Sequence, residues 1–182
     1  MTRIHILGAS GAGTSTLGAA VAAAMAVPHL DADSYFWQPT DPPFTSPHPR
    51  EVRLALLMQA MADKADWVLS GSALGWAQPL ERLYELIVYV RLDPAIRMAR
   101  LRERERRRYG QRIESGGDMN AASVEFLAWA ARYDTAGPEQ RSRVAHEAWL
   151  ARQSAPILRL DTSRPVVELV PEVLAAANGL GP

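Results

Sequence analysis

The stretch Gly8-Ala9-Ser10-Gly11-Ala12-Gly13-Thr14-Ser15 decides the fold. An apolar run, Ile4 to Leu7, precedes it, and a helical pattern of Leu17, Val21, Ala24 and Met25 follows. Strand, glycine-rich turn and helix, in that order, are the setting a phosphate-binding loop needs. Glycines let backbone N–H groups approach a phosphate because no Cβ blocks the path. The helix start adds unpaired N–H groups and the positive end of its dipole. Gly8 to Gly13 has the Walker A spacing, and Ser15 stands where a hydroxyl reaches Mg²⁺. Gly8, Ser10, Gly11, Ala12, Gly13, Thr14, Ser15 and Thr16 are therefore the expected nucleotide-binding residues of the loop. One position departs from the pattern: Thr14 takes the place of the lysine.

That lysine normally reaches the outer phosphates as a point charge. The chain has a single lysine, Lys64, far along in a different helical pattern. Positive charge at the phosphates must then come from arginine or from a partner. A hydrogen bond to a charged group is worth roughly 1.5–3 kcal/mol net, so its loss weakens binding about ten- to a hundredfold. A loop with several donors survives that. A lost donor in a transition state costs about 10²–10³ in rate. Nucleotide binding is thus the firmer expectation and catalysis the more exposed one.

A chain of 182 residues, 48% of them apolar, fits one domain with a sizeable core. Formal net charge is zero, so no global field draws the chain to nucleic acid or an anionic membrane. Cysteine is absent, which excludes disulfides and cysteine-based zinc sites. No run reaches membrane-span length, and the first strand begins almost at Met1, leaving no room for a signal peptide. The expectation is a cytoplasmic protein.

Along the chain, Pro28 to Asp33 reads as a second strand ending in two carboxylates, Asp31 and Asp33. In parallel α/β sheets ligands bind at the carboxyl ends of strands. Two residues apart on extended chain, the acids point the same way. One is suited to orient Mg²⁺ with Ser15, the other to accept the proton of an attacking hydroxyl. A turn or N-cap pair explains the same residues. Tyr35, Phe36 and Trp37 open a proline-interrupted stretch to Arg50. They either wall a flat substrate, Trp37 first, or anchor the loop. Glu51 to Ala65 has helical spacing with Val52, Leu56, Ala60 and Met61 on one side. Trp67 to Ser70 reads as a strand that leads into Gly71 and Ser72, small residues that let a substrate approach. No Walker B acid closes it.

Leu86 to Val90 is a buried strand, and Asp93-Pro94 starts a helix as N-cap and first residue. Ile96, Met98 and Leu101 are its apolar positions, while Arg102 to Arg108 is arginine and glutamate only. A helix end with no apolar face should project from the body. With the Gly-containing loop after it, this looks like a lid over phosphates, about 102–120. One or two of Arg104, Arg107, Arg108 and Arg112 are expected to reach the phosphates on closure; solvated pairs such as Glu103 with Arg107 account for the others. Two helices follow, Ala121 to Asp134 with Phe126, Trp129 and Tyr133 as core, and Glu139 to Ala151. Arg141 and Arg143 open the latter, either as phosphate ligands or as solvated residues. Pro156 to Leu160 is a last strand, His5 a packed core histidine, and residues beyond Asn178 are expected to fray.

These residues together resemble the P-loop nucleoside and nucleotide kinases over most of the chain. The resemblance implies a three-layer α/β/α fold, with a five-stranded parallel sheet of order 2-3-1-4-5 and a helical lid. It implies one domain over 1–182 with a substrate-binding region about 31–65. The Asp31-Ala32-Asp33 end and the acid-free third strand are similar to shikimate and gluconate kinases. There the two acids serve metal and acceptor, which implies Ser15 and Asp31 at Mg²⁺, and Asp31, Asp33, Trp37, Gly71 and Ser72 at the substrate. Gly13-Thr14-Ser15-Thr16 is similar to archaeal-type cytidylate kinases, where threonine also replaces the lysine. The last strand leads, in such kinases, to the adenine, which puts Thr162 among the nucleotide-binding residues together with Arg104. Asp33, Arg108 and Arg112 are the implied catalytic residues.

The function expected is transfer of phosphate from ATP, with Mg²⁺, to a small molecule such as a nucleoside monophosphate, by a monomer or homodimer. The alternative is a nucleotide-binding sensor or partner-binding module that transfers nothing. Glutamates interrupt the arginine run, which argues against nucleic acid as a partner.

Overall fold

The computed structural model describes residues 1–179, and the fraying expected beyond Asn178 lies largely outside them. Five strands form one parallel sheet in the order β2-β3-β1-β4-β5. They are β1 (Arg3–Gly8), β2 (His29–Asp31), β3 (Trp67–Ser70), β4 (Leu86–Arg91) and β5 (Ile157–Asp161). The strands are short and apolar because both faces are covered. In β4, Leu86, Val88 and Val90 face one layer, α1 (Thr14–Met25) and α7 (Val166–Asn178). Ile87 and Tyr89 face the other, α3 (Arg50–Met61) and α6 (Arg143–Leu150). His5 stacks on Tyr84 at 4.7 Å between centroids, and burial, then His146, lower its pKa to about 3. It is a core histidine. Among the described residues no helix is long and apolar enough to cross a membrane.

Four local readings are corrected. The second strand ends at Asp31, and Asp33 lies in the first turn of a short helix, α2 (Ala32–Phe36). Asp31 caps that helix, its Oδ1 accepting from the Asp33 N–H at 3.0 Å. The turn chemistry of aspartate overrides the extended run. In α3 the core contact is Leu57 with Met61, while Leu56 is 37% exposed. The helix after Arg141 starts at Arg143, capped by Ser142, whose Oγ accepts from the Ala145 N–H at 3.1 Å.

The fourth concerns α4 (Pro94–Tyr109), which is capped by Asp93 as read. Its charged half does not stand free. Glu105 and Tyr109 are buried, because polar partners satisfy them there. Ser123 Oγ on α5 (Asn120–Ala131) donates to Glu105 at 3.1 Å, and Tyr109 donates to the Pro43 carbonyl at 2.9 Å. This half of α4 thus closes onto the proline stretch across the carboxyl end of the sheet.

Candidate active site

The phosphate loop is held in shape by groups outside it. Gly13 is the N-cap of α1 at φ 91°, a left-handed conformation that glycine adopts without strain, and no side chain caps the helix. Among the described residues the N–H groups of Gly11, Gly13, Thr14 and Ser15 donate to nothing in the protein. They are free for an anion. Gly11, at φ 81°, passes so close to α4 that a Cβ would stand 2.8 Å from Leu101 Cγ. Thr162 Oγ1 lies 2.7 Å from the Ala12 carbonyl oxygen and 2.9 Å from that of Arg91, tying the loop to the ends of β4 and β5. Arg97, 1% exposed, donates to the Ala130 carbonyl at 2.9 Å and pairs with Asp134 at 3.1 Å beneath the loop.

Two cavities meet over this loop. One, of about 1060 Å³, runs from Thr162 and Val166 past Thr14, Ser15 and Thr16 to Asp31, Asp33 and Trp37. The other, of about 1050 Å³, is lined by Gly8, Ser10, Gly71, Ser72, Trp76, Trp129 and Arg141. They share Gly11, Thr14, Ser15, Asp33, Trp37, Phe44, Arg104 and Arg108. Each has room for a small-molecule ligand.

Most residues expected at the site are therefore assembled there, with three qualifications. Ala12 is fully buried and contributes its carbonyl to the Thr162 strut. Thr162 lines the first cavity, but its hydroxyl is already engaged. Arg112 lines neither cavity; it pairs with Asp118 at 2.6 Å and Asp41 at 3.0 Å on the outside. Ser15 and Asp31 line one cavity, a hydroxyl and a carboxylate. That donor set suits Mg²⁺, which takes one or two protein oxygens and leaves the rest to water and phosphate.

Arg141, open between two roles in the sequence, stands in the site, its guanidinium donating to Ser10 Oγ at 2.6 Å. Sequence reasoning missed Arg100, which lines the first cavity. The spacing of Arg100, Arg104 and Arg108, four apart on one helix face, was the signal. Trp129 and Phe126, read as core, also wall the second cavity. Arg141 stacks over Trp129 at 4.7 Å, Arg104 over Phe126 at 5.8 Å and Arg108 over Phe44 at 3.9 Å. Aromatic faces hold the guanidiniums without neutralising them.

Asp33 is open to the water of the cleft yet ringed by protein. This enclosure, then the Asp31 carboxylate, raises its pKa above the ordinary value, and Arg141, Arg104 and Arg108 pull it back. Among the described residues none of these arginines closes an ion pair with Asp33. A carboxylate facing three guanidiniums, beside a loop of free N–H groups, is arranged for a ligand carrying several negative charges.

The comparisons agree with this architecture. A gluconokinase from Sinorhizobium meliloti 1021 superposes with a TM-score of 0.54 at 18% identity, over 98% of this chain and 93% of that one. A shikimate kinase from Bacteroides thetaiotaomicron gives 0.58 at 17% identity, over 96% and 97%. A sugar kinase from Janibacter sp. HTCC2649 gives 0.54 at 17% identity, over 100% and 96%. The fold is that of the P-loop kinases. No known family profile matches the chain. It is 43% identical over 171 residues, 94% of each chain, to the "Uncharacterized protein YqaC" of Bacillus subtilis (strain 168). The chain belongs to the family of that protein.

Proposed function

We propose that the chain transfers the γ-phosphoryl group of ATP to a small-molecule acceptor, in the first place a nucleoside monophosphate. The observation that carries this reading is Asp33: it lines both cavities beside the free N–H groups of the loop, with Arg104, Arg108 and Arg141 around it. The free N–H groups of Gly11, Gly13, Thr14 and Ser15 hold the β-phosphate. Ser15 and Asp31 would hold Mg²⁺, which would supply positive charge to the phosphates. Asp33 accepts the proton of the acceptor oxygen as that oxygen bonds to the γ-phosphorus. The bond from γ-phosphorus to the bridging oxygen breaks, and ADP leaves. Arg104 and Arg108, on the half of α4 that acts as a lid, cover the charge that spreads over the transferring group.

The acceptor is inferred from the second cavity. Arginines suit a phosphate monoester, and Trp37, Trp76, Phe126 and Trp129 suit a flat base. A screen of nucleoside monophosphates, sugar acids and polyols for acceptor-dependent ADP release tests the reading. ADP release with a monophosphate supports it; turnover confined to a polyol contradicts the acceptor; no acceptor-dependent turnover contradicts the transfer. Thr14, in place of the loop lysine, favours a second reading, a nucleotide sensor without transfer. Under that reading ATP binds and alters hydrogen exchange over residues 102–118, while every acceptor stays unphosphorylated.

A further inference from the structure

The lysine that a phosphate loop normally carries is absent, and the residue in its place, Thr14, is uncharged. Lys64 is exposed after α3 and outside both cavities. Among the arginines near the loop, Arg97 pairs with Asp134 and donates to the Ala130 carbonyl and, at 3.5 Å, to the Ser10 carbonyl, so its charge is already neutralised. Arg104 and Arg108 ride on the outer half of α4, and Arg108 lies 3.8 Å from Glu105. Arg100 is exposed, with its NH1 3.9 Å from where a Cβ on Gly13 would stand.

Arg141 differs from all of them. Its guanidinium donates to Ser10 Oγ, a side chain of the loop itself, at 2.6 Å. Its Nε is buried with no hydrogen-bond partner, and among the described residues it forms no ion pair. Asp33 acts on this charge without closing an ion pair with it, and an enclosed charge so incompletely paired is costly unless a further anion joins it. Its backbone is also pinned. Ser142 Oγ donates to the Gly137 carbonyl at 2.6 Å, and Gln140 Nε2 donates to the Trp129 carbonyl at 3.4 Å. The charge is therefore in place before any lid moves, as a loop lysine would be.

We propose that Arg141 supplies, from the α6 side of the cleft, the fixed positive charge that Thr14 removes from the phosphate loop. The inference rests on the phosphoryl-transfer reading and adds where the charge enters. Ser10 and Arg141 line the acceptor-side cavity, whereas Thr14 and Ser15 line both. Arg141 thus meets the terminal phosphate, the one that ATP has and ADP lacks, where donor and acceptor face each other. It marks the triphosphate for binding and neutralises the group in flight.

The test is calorimetric titration of Mg·ATP and of Mg·ADP into four proteins: wild type, Arg141→Ala, Arg141→Lys, and Arg141→Ala with Thr14→Lys. Circular dichroism and thermal melts show that each is folded. Arg141→Ala should weaken ATP about ten- to a hundredfold and leave ADP unchanged, since one charged hydrogen-bonding group is lost at the terminal phosphate. Arg141→Lys should keep most of the preference, and Thr14→Lys should restore it to the alanine variant. Equal weakening of ATP and ADP, or no weakening of either, overturns the proposal. So does a double variant that binds like Arg141→Ala. A wild type that binds neither nucleotide overturns the transfer reading itself, and this inference with it.

Discussion

The two sides of the cleft are built in different ways. On the phosphate-loop side the wall is mostly backbone: the free N–H groups of Gly11, Gly13, Thr14 and Ser15, shaped by Gly11 and Gly13 and braced by Thr162. The acceptor side is mostly side chains drawn from distant segments: Asp33 on α2, Arg104 and Arg108 on α4, Arg141 before α6, and aromatics on α5. Backbone donors are fixed by local conformation and tolerate the loss of one charge. Side-chain constellations depend on every element that carries them. The first kind of site tolerates Thr14 in place of a lysine; in the proposed reaction the second carries the chemistry and specificity.

The sharpest way to break this division is at Asp33. Asp33→Ala should lower turnover by about 10²–10⁴-fold, the usual contribution of a general base, with Mg·ATP affinity kept. Calorimetry beside an ADP-release assay checks it, and unchanged turnover removes Asp33 from the mechanism. Trp129→Ala removes both an aromatic wall of the second cavity and the face under Arg141. Acceptor KM and the Kd for Mg·ATP should each rise about tenfold, in keeping with about 0.5–2 kcal/mol for a cation over an aromatic ring.

Thr162→Val probes the opposite side. It leaves the Ala12 carbonyl without its partner inside the protein, at a cost of about 1–3 kcal/mol. A thermal melt should show the loss, and nucleotide affinity should fall with acceptor KM unchanged. A shift in acceptor KM instead would mean that the two sides are not separable.

The pH dependence has a definite sign. Asp33 must be ionised to accept a proton, so turnover is full above its pKa and lost as pH falls through it. Because enclosure raises that pKa, the acid limb of kcat/KM should lie above the ordinary carboxyl value of 3.8. The limb should vanish in Asp33→Asn, in which only residual turnover remains. Smallest of all is Arg112→Ala. Its partners Asp41 and Asp118 lie outside both cavities, so turnover should change by less than severalfold. A larger loss would show that this outer clasp controls closure of α4.

The same contrast explains what was legible in the sequence. Gly8 to Ser15, the Asp93-Pro94 helix start and the apolar strands are local signals, and each stands where it was read. The sheet order came with the kinase resemblance. The errors fall where partners are distant in the chain. Glu105 looks like a solvated residue until Ser123 is brought against it. Arg112 looks like a phosphate ligand until Asp41 and Asp118 claim it. Arg141 is ambiguous in sequence because nothing near it indicates that Ser10 will be its neighbour. Asp33 reads as part of a strand but lies in the first turn of a helix, because the capping role of Asp31 competes with extension.

The central claim is that this loop binds the phosphates of a nucleotide. Calorimetric titration of Mg·ATP into wild type and Gly13→Asp tests it most directly, because the aspartate blocks the loop both sterically and by charge. The account predicts binding in the micromolar range that the variant abolishes. Absence of binding in wild type, or equal binding in both proteins, would contradict it.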